Sequence, residues 1–139
     1  MNDLIAKFNQ ACNQPDLAKL LLRIGFAGLF LFHGVHKIYA GTDFIQGLFT
    51  QHGLPASLAY LVYLGEVIAP LAILIGVWTR LFAFLSVGTC VVVVWLMHTH
   101  DFFSLTKVGA WSVEGVATFL FGFLAITLLG SGKYALKQD

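Results

Sequence analysis

Residues 57–78, SLAYLVYLGEVIAPLAILIGVW, form the longest apolar stretch of the chain, and they decide its fold. One helix needs about 20 mainly apolar residues to cross a bilayer core, so this stretch predicts a membrane-spanning helix. Glu66 lies near the middle of the stretch. Because a carboxylate at that depth costs roughly 2.5–3.5 kcal/mol, we expect it to face a bundle interior and to have a partner.

The composition of the whole chain is typical of a small multi-pass membrane protein. Of its 139 residues, 58% are hydrophobic and 11% are charged, and the mean hydropathy is +0.83. Soluble domains carry about 25% charged residues. The length predicts a single domain over residues 1–139, and the net charge of +1 argues against a nucleic-acid-binding surface. The mixed polar N-terminal residues predict that no signal peptide is cleaved.

Four spans are predicted, and they make the fold an all-α four-helix bundle in the membrane. The spans cover about residues 17–39, 57–78, 81–97 and 111–129. Their orientation follows from the Lys and Arg residues, which are enriched on the cytoplasmic side. Lys37 and Lys107 fall on the outer side. The rule places the N and C termini in the cytoplasm, together with Lys7, Lys19, Arg23, Arg80, Lys133 and Lys137.

Most polar side chains of the spans fall in the outer half of the predicted bundle. The candidate ligand-binding residues are His33, His36, Lys37, Glu66, His98 and Glu114. Imidazole and carboxylate groups can hydrogen-bond the carbonyls of a quinone and exchange protons with it near neutral pH. They can also bind a divalent transition metal. The weaker metal candidates are His33, His36, His98 and His100.

A structural interpretation of the same residues stays open beside the functional one. A charge in a low-dielectric interior requires a partner, whatever the protein does. Glu66 is therefore expected to pair with Lys37 or Arg23, and Arg23 with Glu66 is the candidate buried ion pair. Small residues predict where helices approach closely in lipid. In the first and fourth spans these residues are Gly25, Gly28, Gly115 and Gly122.

Two of the spans carry a recognisable order of residues. The first reads LRIGFAGLFLFHGVHKI over residues 22–38, and the second reads LGEVIAPLAILIGVWTRL over residues 64–81. Over roughly residues 20–129 the chain resembles the DoxX family of small four-helix bacterial inner-membrane proteins. The positions that match the family pattern are Arg23, Gly34, Lys37, Glu66 and Arg80.

The resemblance implies a multi-pass protein of the bacterial inner membrane that serves as a membrane subunit or accessory of a redox or stress-response system. The family takes its name from a subunit linked to thiosulfate:quinone oxidoreductase, so a quinone is the candidate cofactor. The sequence has no haem, flavin or iron–sulfur motif, and electrons would have to come from a partner. At most, the resemblance implies a membrane subunit of an oxidoreductase complex.

Two alternatives remain beside a quinone-binding subunit. One is a non-enzymatic scaffold whose polar residues form a structural ion-pair network. The other is a protein that binds a metal or a small molecule, which in so short a chain would need a dimer to enclose it. In each case the expected contacts are the lipid bilayer and either a protein partner or a second copy of the chain.

Overall fold

The computed structural model describes residues 2–139, and the described chain is helical apart from its loops and one isolated β-bridge. The prediction of an all-α membrane fold is confirmed. The six helices of the described residues are α1 (Asn2–Cys12), α2 (Pro15–Ala40), α3 (Asp43–Gln51), α4 (Ala56–Ile75), α5 (Thr79–Met97) and α6 (Glu114–Leu129). Three of them, α2, α4 and α5, are long and apolar enough to cross a membrane, and α6 is apolar but has 16 residues.

Two of the helix boundaries differ from the predicted ones for identifiable reasons. The second span was predicted to reach residue 78, but α4 ends at Ile75 because Gly76 adopts the left-handed conformation, with φ 75° and ψ 55°. Glycine is the residue that most readily ends a helix in this way. The fourth span was predicted to begin at residue 111, but Trp111 forms a β-bridge with Leu105 and α6 begins at Glu114.

The core between α2 and α6 is built from aromatic rings. The ring of Phe30 lies 5.0 Å from the ring of Phe119 and 5.0 Å from that of Phe123, measured between centroids. Gly122 lies directly against the ring of Phe26, where a β-carbon would collide with it. Since lipid offers no hydrophobic drive for helices to associate, close packing of this kind determines which faces meet.

Helix α4 departs from regular α-helical hydrogen bonding around its proline. Residues Leu64–Ile68 form a π-helical turn, and Pro70 follows. Proline has no N–H, so it cannot bond the carbonyl that faces it, which is that of Gly65 in the π-helical register. The hydroxyl of Ser86 on α5 donates to the Gly65 carbonyl at 3.5 Å. A side chain from a neighbouring helix thus compensates the lost bond, as lipid cannot.

The glycines do not all serve the close packing that their sequence predicts. Gly34 and Gly122 are tightly packed, and a β-carbon on Gly34 would collide with the backbone carbonyl of Glu66. The spaces beside Gly25, Gly28 and Gly115 are open within the described chain. The prediction of close approach is therefore wrong for these three within one copy of the protein.

Candidate functional site

Lys37 and Glu66 form an ion pair between α2 and α4, in which Lys37 Nζ donates to Glu66 Oε2. The Glu66 side chain is 3% exposed, and the Lys37 side chain is 23% exposed. The hydroxyl of Tyr63 donates to the backbone carbonyl of Lys37 at 3.1 Å and joins the same two helices. The sequence predicts Lys37 or Arg23 as the partner of Glu66, and in the structure the partner is Lys37.

Helix packing explains why these two side chains meet. Gly34 lies one helical turn before Lys37, and its missing side chain lets α2 approach the backbone of α4 at Glu66. Side chains three or four positions apart share a helix face, so Lys37 projects toward the same neighbour. Glu66 itself lies within the π-helical turn of α4. The close contact at glycine thus brings a flexible ammonium within reach of a buried carboxylate.

The predicted ion pair between Arg23 and Glu66 is wrong. Arg23 is 1% exposed and donates only to backbone carbonyls, two of which are in the last turn of α4 and none of which belongs to Glu66. The carbonyls of a final helical turn have no partners within their own helix. A buried guanidinium with five donors is suited to several of them at once. Two acceptors are carbonyls in the last turn of α4, those of Ile73 and Leu74, both at 2.8 Å. The other two are carbonyls after α6, those of Ser131 at 3.1 Å and Tyr134 at 2.6 Å.

The C-terminal segment, residues 130–139, completes this end of the bundle. The amides of Leu136 and Lys137 donate to the carbonyls of Ile75 and Gly76, at 3.0 and 2.9 Å. The carboxylate of Asp139 accepts from the first two amides of α5, those of Thr79 at 3.0 Å and Arg80 at 2.9 Å. A carboxylate at a helix N-terminus satisfies free N–H groups and complements the helix dipole. This contact could not be predicted from the sequence, because no local pattern relates residue 139 to residue 79.

The other candidate residues do not join the Lys37–Glu66 pair. His33 and His36 are exposed on α2, and the His33 ring meets the edge of Phe119 at 5.6 Å between centroids. Glu114 is exposed in the first turn of α6. His98, after α5, has Nδ1 3.1 Å from Oδ1 of Asp101. The six predicted ligand-binding residues therefore lie in several separate places.

The candidate metal ligands are likewise dispersed. Between residues 2 and 139, no three His, Cys, Asp or Glu side chains come together in a way that could hold a metal ion. The nearest approach to a cluster is in the loop after α5, where Asp101 lies 3.1 Å from His98 and 4.0 Å from His100. His33 and His36 are on α2 and do not take part.

The charges of the site determine what it can do. The Lys37 ammonium and the Glu66 carboxylate neutralise each other, so the pair carries no net charge when both are ionised. A satisfied pair of this kind joins two helices and is costly to break from one side. Its carboxylate end is enclosed, and only its ammonium end is partly open.

Comparisons with known proteins identify a family and a relative of the chain. The DoxX family model matches residues 18–99, a range that contains Arg23, Lys37 and Glu66. The chain is 31% identical over 133 residues to the inner membrane protein YqjF of Escherichia coli (strain K12), a match that covers 88% of this chain and 92% of that protein. No solved structure matches the chain significantly.

Proposed function

The chain belongs to the DoxX family and is a multi-pass protein of the bacterial inner membrane, and we propose that it works there as a non-enzymatic accessory subunit. In this proposal it binds a transmembrane helix of a partner protein through one exposed face of α2. The family resemblance implies that the partner belongs to a redox or stress-response system. The observation that carries the proposal is a strip of α2 on which two histidines are exposed and two glycines have open space beside them.

The proposal includes an orientation. One end of the bundle contains the N-terminal part of α2, the start of α5 after the turn at residues 76–78, and the C-terminal segment. The C-terminal segment is joined to both helices there by hydrogen bonds. This end carries Lys19, Arg80, Lys133 and Lys137. By the positive-inside rule it belongs in the cytoplasm, and His33 and His36 then lie toward the outer leaflet.

The proposed contact surface, which we name the α2 face, is a continuous strip. Its residues recur every three or four positions and so lie along one side of the helix. Leu29 and Phe32 within it are 58% and 73% exposed. The members of the α2 face are Gly25, Gly28, Leu29, Phe32, His33 and His36.

A protein helix covers this strip better than lipid does. Hydrocarbon offers His33 and His36 no hydrogen-bond partner, and ionisable side chains in a membrane usually face protein or water. Histidine side chains hydrogen-bond across helices, and glycines let two backbones approach closely. Gly25 and Gly28 have open space beside them, so a second helix can reach the backbone of α2 there.

The proposal predicts a position-specific cross-link in native membranes. A photoreactive amino acid at Phe32 is expected to give one discrete adduct with another membrane protein. The same probe at Phe84, which is 61% exposed on α5, serves as the matched control and is expected to give none. Replacing both His33 and His36 with leucine should weaken the adduct several-fold, since each interhelical hydrogen bond contributes about 0.6 kcal/mol.

Three results would contradict the accessory role. They are no adduct at Phe32, equal adducts at Phe32 and Phe84, or an adduct with twice the mass of the chain. The last result would identify self-association through the same face. Immunoblotting and mass spectrometry of the adduct distinguish these results.

A quinone site at the Lys37–Glu66 pair is the second candidate function. It is supported by the exposure of the Lys37 side chain, 23%, which leaves an ammonium donor open at the edge of the pair. Ammonium groups donate hydrogen bonds of the kind that a quinone carbonyl accepts.

Titration of the purified protein with a ubiquinone analogue, followed by tryptophan fluorescence, tests this candidate. Saturable quenching is expected, together with its loss in the Lys37→Met/Glu66→Gln double variant, which nearly keeps the size of both side chains and removes both charges. Non-saturable quenching that is the same in both proteins would show partition into the detergent and would remove the candidate.

A further inference from the structure

We propose that α1 lies in the plane of the membrane surface, with its apolar face inserted between the lipids of the leaflet from which α2 emerges. The occupant of this face is the lipid bilayer itself. The proposal is independent of the partner-binding role of α2, because it concerns a helix outside the bundle.

Helix α1 has the residue pattern of a helix at an interface. Leu4, Ile5 and Phe8 lie on one side, since positions three or four apart share a helix face. Cys12 extends the same side by one turn. The opposite side carries Asn2, Asp3, Asn9 and Gln10. A helix that is apolar along one side and polar along the other lies on a membrane rather than across it.

The apolar side of α1 is uncovered by the rest of the chain. Leu4, Ile5 and Phe8 are 73%, 52% and 65% exposed, and no residue of the helix is buried. Exposing such side chains to water is unfavourable in proportion to their apolar surface. A helix of 11 residues is also marginally stable alone in water. The helix therefore requires an apolar surface outside the described chain.

Chain connectivity identifies that surface. Only Asn13 and Gln14 separate α1 from α2, which begins at Pro15 and is long and apolar enough to cross the membrane. The amide of Gln14 donates to the carbonyl of Cys12 at 2.8 Å, so the connection is a tight turn. Helix α1 thus continues directly from a lipid-covered helix, at the place where that helix leaves the bilayer.

Charges near this place also favour a lipid surface. Lys19 in α2 and Lys133 in the C-terminal segment lie close to each other. The side chain of Lys19 packs beside Gly132, and Lys133 is the next residue in the chain. Both are near the start of α2, where Asp16 accepts from the amide of Lys133 at 3.1 Å. Basic side chains beside a span attract anionic lipid headgroups. Asp3 and Lys7 leave α1 itself without net charge, so it is not repelled from such a surface.

Site-directed fluorescence on the full chain in liposomes of phosphatidylethanolamine and phosphatidylglycerol tests the proposal. The native thiols are first removed by Cys12→Ser and Cys90→Ala. One new cysteine is then introduced, either Phe8→Cys on the apolar side or Gln10→Cys on the polar side, and labelled with an environment-sensitive fluorophore. Both positions are exposed, so neither label disturbs the packing of the bundle.

We expect the label at position 8 to be quenched several-fold more by spin-labelled lipid than the label at position 10, and several-fold less by aqueous iodide. Equal quenching at the two positions would overturn the proposal, because it would show that α1 does not lie in the bilayer surface. Shielding of position 8 from both quenchers would also overturn it, since a protein surface rather than lipid would then cover the helix.

Discussion

Replacing Arg23 with leucine is expected to lower the free energy of unfolding by about 3–5 kcal/mol, the largest effect of any single substitution considered for this protein. The guanidinium bonds four backbone carbonyls in α4 and the C-terminal segment. Leucine removes all four bonds. The carbonyl of Ile73 keeps the amide of Gly76 at 3.2 Å, and each of the other carbonyls that is left unsatisfied costs about 1–3 kcal/mol. Unfolding in mixed micelles by titration with sodium dodecyl sulfate, followed by tryptophan fluorescence, measures the loss.

Two further variants separate the hydrogen bonds of Arg23 from its charge and from general disturbance. Arg23→Lys keeps the charge but offers one compact ammonium, and it should restore less than half of the stability. Arg80→Leu is the matched control, because exposed Arg80 donates to the carbonyls of Thr127 and Leu128 at the end of α6. It should cost about 1 kcal/mol or less. Equal losses for Arg23→Leu and Arg80→Leu would contradict a special role for the buried guanidinium.

The second large effect is an asymmetry between the two members of the Lys37–Glu66 pair. Lys37→Met is expected to destabilise by about 3 kcal/mol, because it leaves an enclosed carboxylate without its counter-ion. Glu66→Gln should cost less, about 1–2 kcal/mol, since the remaining ammonium is partly exposed and can extend toward the membrane surface. The exposures of 3% for Glu66 and 23% for Lys37 set the direction of this difference.

A double-mutant cycle isolates the interaction between the two side chains. The Lys37→Met/Glu66→Gln variant buries no unpaired charge, so it should be more stable than Lys37→Met alone. The same unfolding titration yields all the free energies. Additive losses in the double variant, or a larger loss for Glu66→Gln than for Lys37→Met, would show that the pair does not stabilise the bundle as its geometry indicates.

The sequence predicts the fold because each span can be recognised from its length and its apolar composition. A stretch such as residues 57–78 is long and apolar enough to cross a membrane, and one carboxylate within it is expected to have a partner. The choice of partner could not be predicted. Arg23 and Lys37 both lie on α2, and the structure brings Lys37 to Glu66 beside the close contact at Gly34.

The histidines show where position along a helix is insufficient. Spacing places His33 and His36 on one side of α2, but it does not say whether that side meets the core. The core side is set by Phe30, whose ring packs against Phe119 and Phe123, and by Gly34. Both histidines are exposed at the surface of the bundle. Of the six residues expected at the site, only Lys37 and Glu66 contact each other.

The hydrogen bonds of Arg23 have a consequence for how the protein is made. Its acceptors Ser131 and Tyr134 lie 108 and 111 residues later in the chain. The ribosome therefore delivers a cationic helix to the insertion machinery long before these partners are synthesised, at about 5–20 residues per second. Until then the guanidinium lacks two of its four acceptors, so its contacts can be completed only after translation has passed residue 134. A nascent chain that has not reached residue 131 has only the carbonyls of Ile73 and Leu74 to offer this arginine.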